Sequence, residues 1–132
     1  MENRAIEELR SNKRAQTLRL MEASGLTRQI AEAAERRDEV AMQMLLGERE
    51  EPLRAAQEIE ERIRVYLQTL PENEAIRMSA LLKGAKAERE EEAAFAEQVA
   101  QYHRLLETII AEDKRLSVKL GGSRSFYKMF RE

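Results

Sequence analysis

Residues 42–70 read MQMLLGEREEPLRAAQEIEERIRVYLQTL, and residues 95–120 read FAEQVAQYHRLLETIIAEDKRLSVKL. In the first stretch Met42, Leu45, Arg49, Pro52, Ala56, Ile59, Ile63, Tyr66 and Leu70 step by three and four without a slip. In the second, Phe95, Val99, Tyr102, Leu106, Ile109, Asp113, Leu116 and Leu120 do the same. A 3-4 alternation places a narrow seam along one side of a helix, as in a coiled coil. The only clear break between the two seams is Leu70-Pro71-Glu72-Asn73, where proline suits the first turn of a new helix. Upstream, Leu9, Lys13, Gln16, Leu20, Ala23, Thr27, Ile30 and Ala34 form a third seam, more polar than the others and interrupted by Gly25.

These patterns predict an all-α fold: an antiparallel three-helix bundle or long helical hairpin with coiled-coil-like seams. The expected helices cover residues 3–37, 38–70 and 72–120, a single helical domain of residues 1–120, followed by a flexible basic-aromatic tail at residues 121–132. Asp38 is placed to cap the second helix, because its carboxylate can accept from a free amide at the helix start. Pro52 predicts a kink or a break in that helix, Gly84 is the weak point of the third, and Gly121-Gly122 would end it.

Composition supports long helices. Of 132 residues, 36% are charged and 42% apolar, with 5 Gly, 2 Pro and no Trp. Without Cys there are no disulfides or thiolate metal sites, which fits a cytoplasmic location. Residues 1–8 show no apolar core of a secretory signal, and no apolar run approaches the roughly 20 residues of a membrane span, so no membrane insertion is expected. The net charge of −2 predicts no general attraction to nucleic acid. From Lys114 to Glu132, however, six basic residues face one acid, an asymmetry that marks a segment with its own partner.

Folding the expected third helix straight back from Pro71 sets Ile63 opposite Ala80, Ala56 opposite Ala87 and Met42 opposite Gln101. Beyond Leu105 the third helix outruns the second. The apolar residues Leu106, Ile109, Ile110, Leu116 and Leu120 would then have no internal partner. Either such a stripe marks a binding surface, the reading we prefer, or the third helix bends to rejoin the bundle. Phe126, Tyr127 and Phe130 of the tail are expected to close over the same ligand. The partner is an amphipathic helix, or a second copy in a homodimer.

Three segments resemble the FlgN-type flagellar export chaperones that serve hook-associated and filament-cap proteins. They are Ile30-Ala31-Glu32-Ala33-Ala34-Glu35-Arg36-Arg37-Asp38 with the following Leu45-Leu46-Gly47-Glu48-Arg49-Glu50-Glu51-Pro52-Leu53; Leu70-Pro71-Glu72-Asn73-Glu74; and the ending Leu120-Gly121-Gly122-Ser123-Arg124-Ser125-Phe126-Tyr127. Pro52 departs from the family pattern. The resemblance implies a cytoplasmic chaperone that binds the C-terminal amphipathic helix of a hook-associated or filament-cap protein before secretion, with no catalytic residues. The alternative is a self-associating structural coiled-coil protein with no export client.

Nothing in the sequence assembles catalytic, cofactor or metal chemistry. His103 is the only histidine and lacks the Glu-x-x-His partners of a bundle metal site; it reads as a solvated helix residue. Glu88, Glu90, Glu91 and Glu92 read as a solvated face, with Glu92 on the seam and within range of a pair with Arg49. Met42 and Met44 read as core. Lys83-Gly84-Ala85-Lys86 lacks the glycine pattern of a phosphate loop. The interleaved Arg124, Phe126, Tyr127, Lys128, Phe130 and Arg131 suit a protein-docking tail better than nucleic acid, which so short a basic segment would hold only weakly.

Overall fold

In the computed structural model, which describes residues 2–120, the chain forms four α-helices: α1 (Glu2–Glu35), α2 (Glu39–Gln68), α3 (Glu72–Leu82) and α4 (Ala93–Lys119), with a 3-10 turn at Glu90–Glu92. No strand occurs among the described residues, so the fold is all-α as the seams predict. None of these helices is long and apolar enough to cross a membrane. The expected tail at residues 121–132 lies outside the described residues.

α1 and α2 form an antiparallel hairpin. α1 ends in a Schellman turn: the amide of Arg37 donates to Ala34 O (3.0 Å) and that of Asp38 to Ala33 O (2.9 Å), with Arg37 in the left-handed region at φ 58°. The Asp38 carboxylate then accepts from the Ala41 amide at 3.1 Å and caps α2. α2 runs through Pro52 without interruption. The ring is buried on the seam, so the packing that covers it offsets the hydrogen bond it removes. Gly25 likewise lies within an unbroken α1.

The third expected helix is where the structure departs from the straight-rod reading. α3 stops at Leu82 in a second Schellman turn, with the Gly84 amide donating to Leu81 O (3.0 Å), that of Ala85 to Ala80 O (3.0 Å), and Gly84 at φ 108°. Residues 83–89 double back, and Glu92 locks the reversal. Its carboxylate accepts from Arg77 Nη2 (2.6 Å) and Nε (3.0 Å), from the Glu88 amide (2.9 Å) and from Arg89 Nη2 (3.3 Å). α4 therefore starts again beside α3 rather than continuing it. It climbs parallel to α1 and antiparallel to α2, and Lys119 reaches Glu35 at the α1–α2 turn (3.1 Å).

This path removes the overhang. Ile109 is 1% exposed and packs with Leu20, Ala23, Leu53, Ala56 and Tyr102; Leu116 is 2% exposed and packs with Ile30 and Leu46. A third cluster joins Ala5, Ile6 and Leu9 of α1, Ile59 and Ile63 of α2, Met78 and Leu81 of α3, and Phe95 and Val99 of α4. The bundle thus has three helices along most of its length and a fourth, short one near the start of α1.

Candidate functional site

Polar seam residues of α1 are satisfied inside the bundle. Thr27 Oγ1 donates to Ala23 O (3.0 Å) and accepts from Arg49 Nη1 (3.0 Å), and Arg49 Nη1 also donates to Asp113 Oδ1 (3.1 Å). All three are buried. The expected partner of Arg49 was Glu92; the reversal at residues 83–92 carries Glu92 to Arg77 and delivers Asp113, one seam position before Leu116, instead.

Lower in the bundle the seam opens. The α1 backbone runs close to both α2 and α4, whereas α2 and α4 meet mainly through their side chains. Between them, and ending at α3, lies a groove of about 870 Å³. Its floor is Lys13 and Tyr102. Leu67, Leu82 and Leu106 form its half-buried apolar walls, and Glu60, Arg64, Lys83 and His103 its polar edge. The Lys13 ammonium sits 3.5 Å from the centroid of the Tyr102 ring, donates to Gln16 Oε1 (2.9 Å) and lies 4.0 Å from Glu60. Gln16 Nε2 in turn donates to Glu60 Oε1 (2.7 Å) and to Ala56 O (3.2 Å), tying α1 to α2.

Burial pulls the Lys13 ammonium down to about 8, with Glu60 opposing that fall. Burial, reinforced by the Glu60 charge, pushes the Tyr102 phenol well above its ordinary value. The phenol stays protonated at neutral pH and the ring face remains a cation platform. His103 is half-buried at the groove edge rather than on a solvated face. Its ring lies 5.8 Å from that of Tyr102, and it stands 3.8 Å from where a side chain on Gly84 would begin.

The structure distributes the expected partner-binding residues differently from the stripe reading. Leu106 lines the groove. Ile109 and Leu116 belong to the core, because α1 and α2 supply the partner that a straight third helix would have lacked. Ile110 and Leu120 are half-buried, Leu120 against the Ile30–Leu46–Leu116 cluster. Phe126, Tyr127 and Phe130 lie outside the described residues. Met44, expected in the core, is 61% exposed, while Met42 is half-buried. Of the acidic run only Glu92 is buried; Glu88, Glu90 and Glu91 are exposed.

Lys13 and Tyr102 are both seam positions, but their pairing is not visible in the sequence because it needs the parallel register of α1 and α4. Among the described residues no group of three or more His, Cys, Asp or Glu side chains is placed to hold a metal ion. The arrangement is suited to binding: an apolar trough with a cationic bias, open on one side. No protein-family model, curated protein or solved structure matches this chain.

Proposed function

We propose that this chain is a helix-binding protein, and that it acts as a cytoplasmic export chaperone of the flagellar type rather than as an enzyme. The observation that carries the reading is the groove between α2 and α4. Leu67, Leu82 and Leu106 offer an apolar trough to the anchors that an amphipathic helix presents at i, i+3, i+4 and i+7. Lys13, Arg64 and Lys83 against the single Glu60 favour a helix with acidic flanks. The client class, the C-terminal helix of a hook-associated or filament-cap protein, rests on the resemblance of the three sequence segments to the FlgN-type chaperones.

Calorimetric titration with C-terminal peptides of hook-associated and filament-cap proteins tests both parts. Micromolar binding is expected, weakened at least tenfold by Leu106→Glu and by Lys83→Glu, neither itself a fully buried residue. Silence with every such peptide at high micromolar concentration overturns the export reading. A dimer in sedimentation that Leu106→Glu dissolves would instead assign the groove to a second copy and favour the self-associating coiled-coil protein.

A further inference from the structure

We infer that the outer face of the α1–α2 hairpin, around Gly25 and Gly47, is a second docking groove, and that its occupant is a basic amphipathic helix of a partner protein. The groove, of about 560 Å³, is formed by Met21, Gly25 and Leu26 of α1 and by Gly47, Glu48 and Glu51 of α2. Its α1 wall faces away from Ser24 and Arg28, which meet Glu112 of α4, so it lies apart from the trough between α2 and α4.

Two glycines face this groove without any need from the fold itself. Both sit inside long helices, where glycine is a poor helix former. Neither has a positive φ; among the described glycines that belongs to Gly84. A Cβ added at Gly25 or at Gly47 would meet nothing within 4 Å. Alanine would therefore fit at both positions and strengthen both helices. What the missing side chains provide is room, on the outside, for another backbone to come close.

The surrounding residues say what should come. Met21 is 53% exposed, and Met44, one turn before Gly47 and Glu48, is also exposed. Unbranched thioethers on a surface adapt to the apolar face of an incoming helix. The rim carries Glu22, Glu48 and Glu51 against Arg19 alone, and Arg19 is held by Glu22 at 2.9 Å. Among the described residues neither Glu48 nor Glu51 is engaged in an ion pair or a side-chain hydrogen bond. An apolar helix face flanked by Lys or Arg satisfies both carboxylates. A second copy docked groove to groove would bring an equally acidic rim and repel.

The probe is a fluorescent peptide of about 18 residues, long enough to form several helical turns. It carries Leu at i, i+3, i+4 and i+7 and Lys elsewhere, and is compared with the same peptide carrying Glu for Lys. The full chain should bind the Lys peptide, with affinity falling as salt rises, and bind the Glu peptide at least tenfold more weakly at this face. Gly25→Leu with Gly47→Leu should melt at or above the parent temperature and yet lose at least tenfold in affinity for the Lys peptide. Glu48→Lys with Glu51→Lys, both on exposed positions, should lose as much and keeps the test valid if the leucine variant folds poorly. Undiminished binding in either double variant overturns the proposal, as does no binding of the Lys peptide to the parent. A parent dimer that the leucine variant converts to monomer would place a second copy in the groove. Binding of the peptide only after removal of residues 121–132 would place that segment there. Either result overturns a separate basic partner.

Discussion

The two ends of this bundle solve the same problem differently. Toward the α1–α2 turn, three helices close on each other around Ile30, Leu46 and Leu116, with Arg49, Thr27 and Asp113 satisfying one another inside. Toward the start of α1, the short α3 adds Met78 and Leu81 to the core that α1, α2 and α4 build. Where α3 stops, at Leu82 and Lys83, a gap is left open as the groove floored by Lys13 and Tyr102. A continuous seam guarantees that something apolar faces inward at each level. It does not say that the chain itself covers every level, and the level left open here is the groove.

The largest effect should separate the closed end from the open groove. Leu116→Asp buries a charge without a partner. Truncating such a residue to Ala typically costs 2–5 kcal/mol, and the aspartate should cost about as much or more. Leu106→Asp, on a half-buried groove wall, should cost about 1 kcal/mol, within the range of ordinary substitutions, and should abolish the helix binding proposed for the groove. Urea denaturation of the two variants checks the contrast; equal losses would mean that Leu106 is core and the groove closed.

Next in size is the buried pair of the closed end. Arg49→Met leaves the Asp113 carboxylate buried without its guanidinium and should cost about 3–5 kcal/mol. Arg49→Met combined with Asp113→Leu should return to within about 1 kcal/mol of the parent, since a well-packed apolar pair often replaces a buried ion pair at little cost. A double variant as unstable as the single one would show that the Thr27–Arg49–Asp113 network holds the helices in register rather than merely neutralising itself.

At the other end, Arg77 and Glu92 hold the reversal, and acid should release it first. The Arg77 hydrogen bonds, assisted by those from the Glu88 amide and Arg89, hold the Glu92 carboxyl down to about 2 from its ordinary 4.5. The folded value lies below the unfolded one, so this contribution is complete above pH 4.5 and disappears as the pH falls toward 2. Melting temperature against pH should fall through that window in the parent and fall less in Glu92→Gln. At neutral pH Arg77→Met should cost about 1–3 kcal/mol, the range for depriving a buried acceptor of its donor. An unchanged acid slope in Glu92→Gln would assign the acid sensitivity to other carboxylates.

The contrast between the ends also explains what the sequence could tell. Leu9, Leu20, Ala23, Thr27, Ile30, Phe95, Val99 and Tyr102 are legible as core from spacing alone, because helical periodicity is local; Ile109 and Leu116 lie on the same seam but read as a binding stripe, and the structure buries them. The reversal is not legible. Nothing at residues 83–92 but Gly84 disfavours a continuous helix, and the run Glu88–Glu92 has the composition of a solvated face. The turn is stabilised by a tertiary contact, Arg77 on Glu92, that no local pattern encodes. Both errors of partner follow from that one error of path. On a straight rod Arg49 lies level with Glu92, and Leu116 has nothing beside it; once the chain doubles back, Asp113 and Ile30 take those places. Of the groove only Leu106 was legible, as part of the apolar stripe; the rest is a space between α2, α3 and α4 that depends on the same reversal.

The smallest effect compares two helix ends built alike from different residues. α1 and α3 both finish in a Schellman turn, each needing a left-handed residue: Gly84 at φ 108° after α3, and Arg37 at φ 58° after α1. Glycine reaches that region without a steric penalty, whereas an L side chain meets one of about 1–2 kcal/mol. Gly84→Ala should therefore destabilise by about 1–2 kcal/mol, although a Cβ there would find only His103 at an ordinary 3.8 Å. Arg37→Gly relieves the penalty but gives the unfolded chain more freedom, which returns about 0.5–1 kcal/mol of the gain. The net should be a stabilisation of about 0.5 kcal/mol, read as a higher urea midpoint at unchanged slope. A lower midpoint for Arg37→Gly would mean that the Arg37 side chain itself holds the α1–α2 turn, and the two helix ends would then be alike only in their backbone hydrogen bonds.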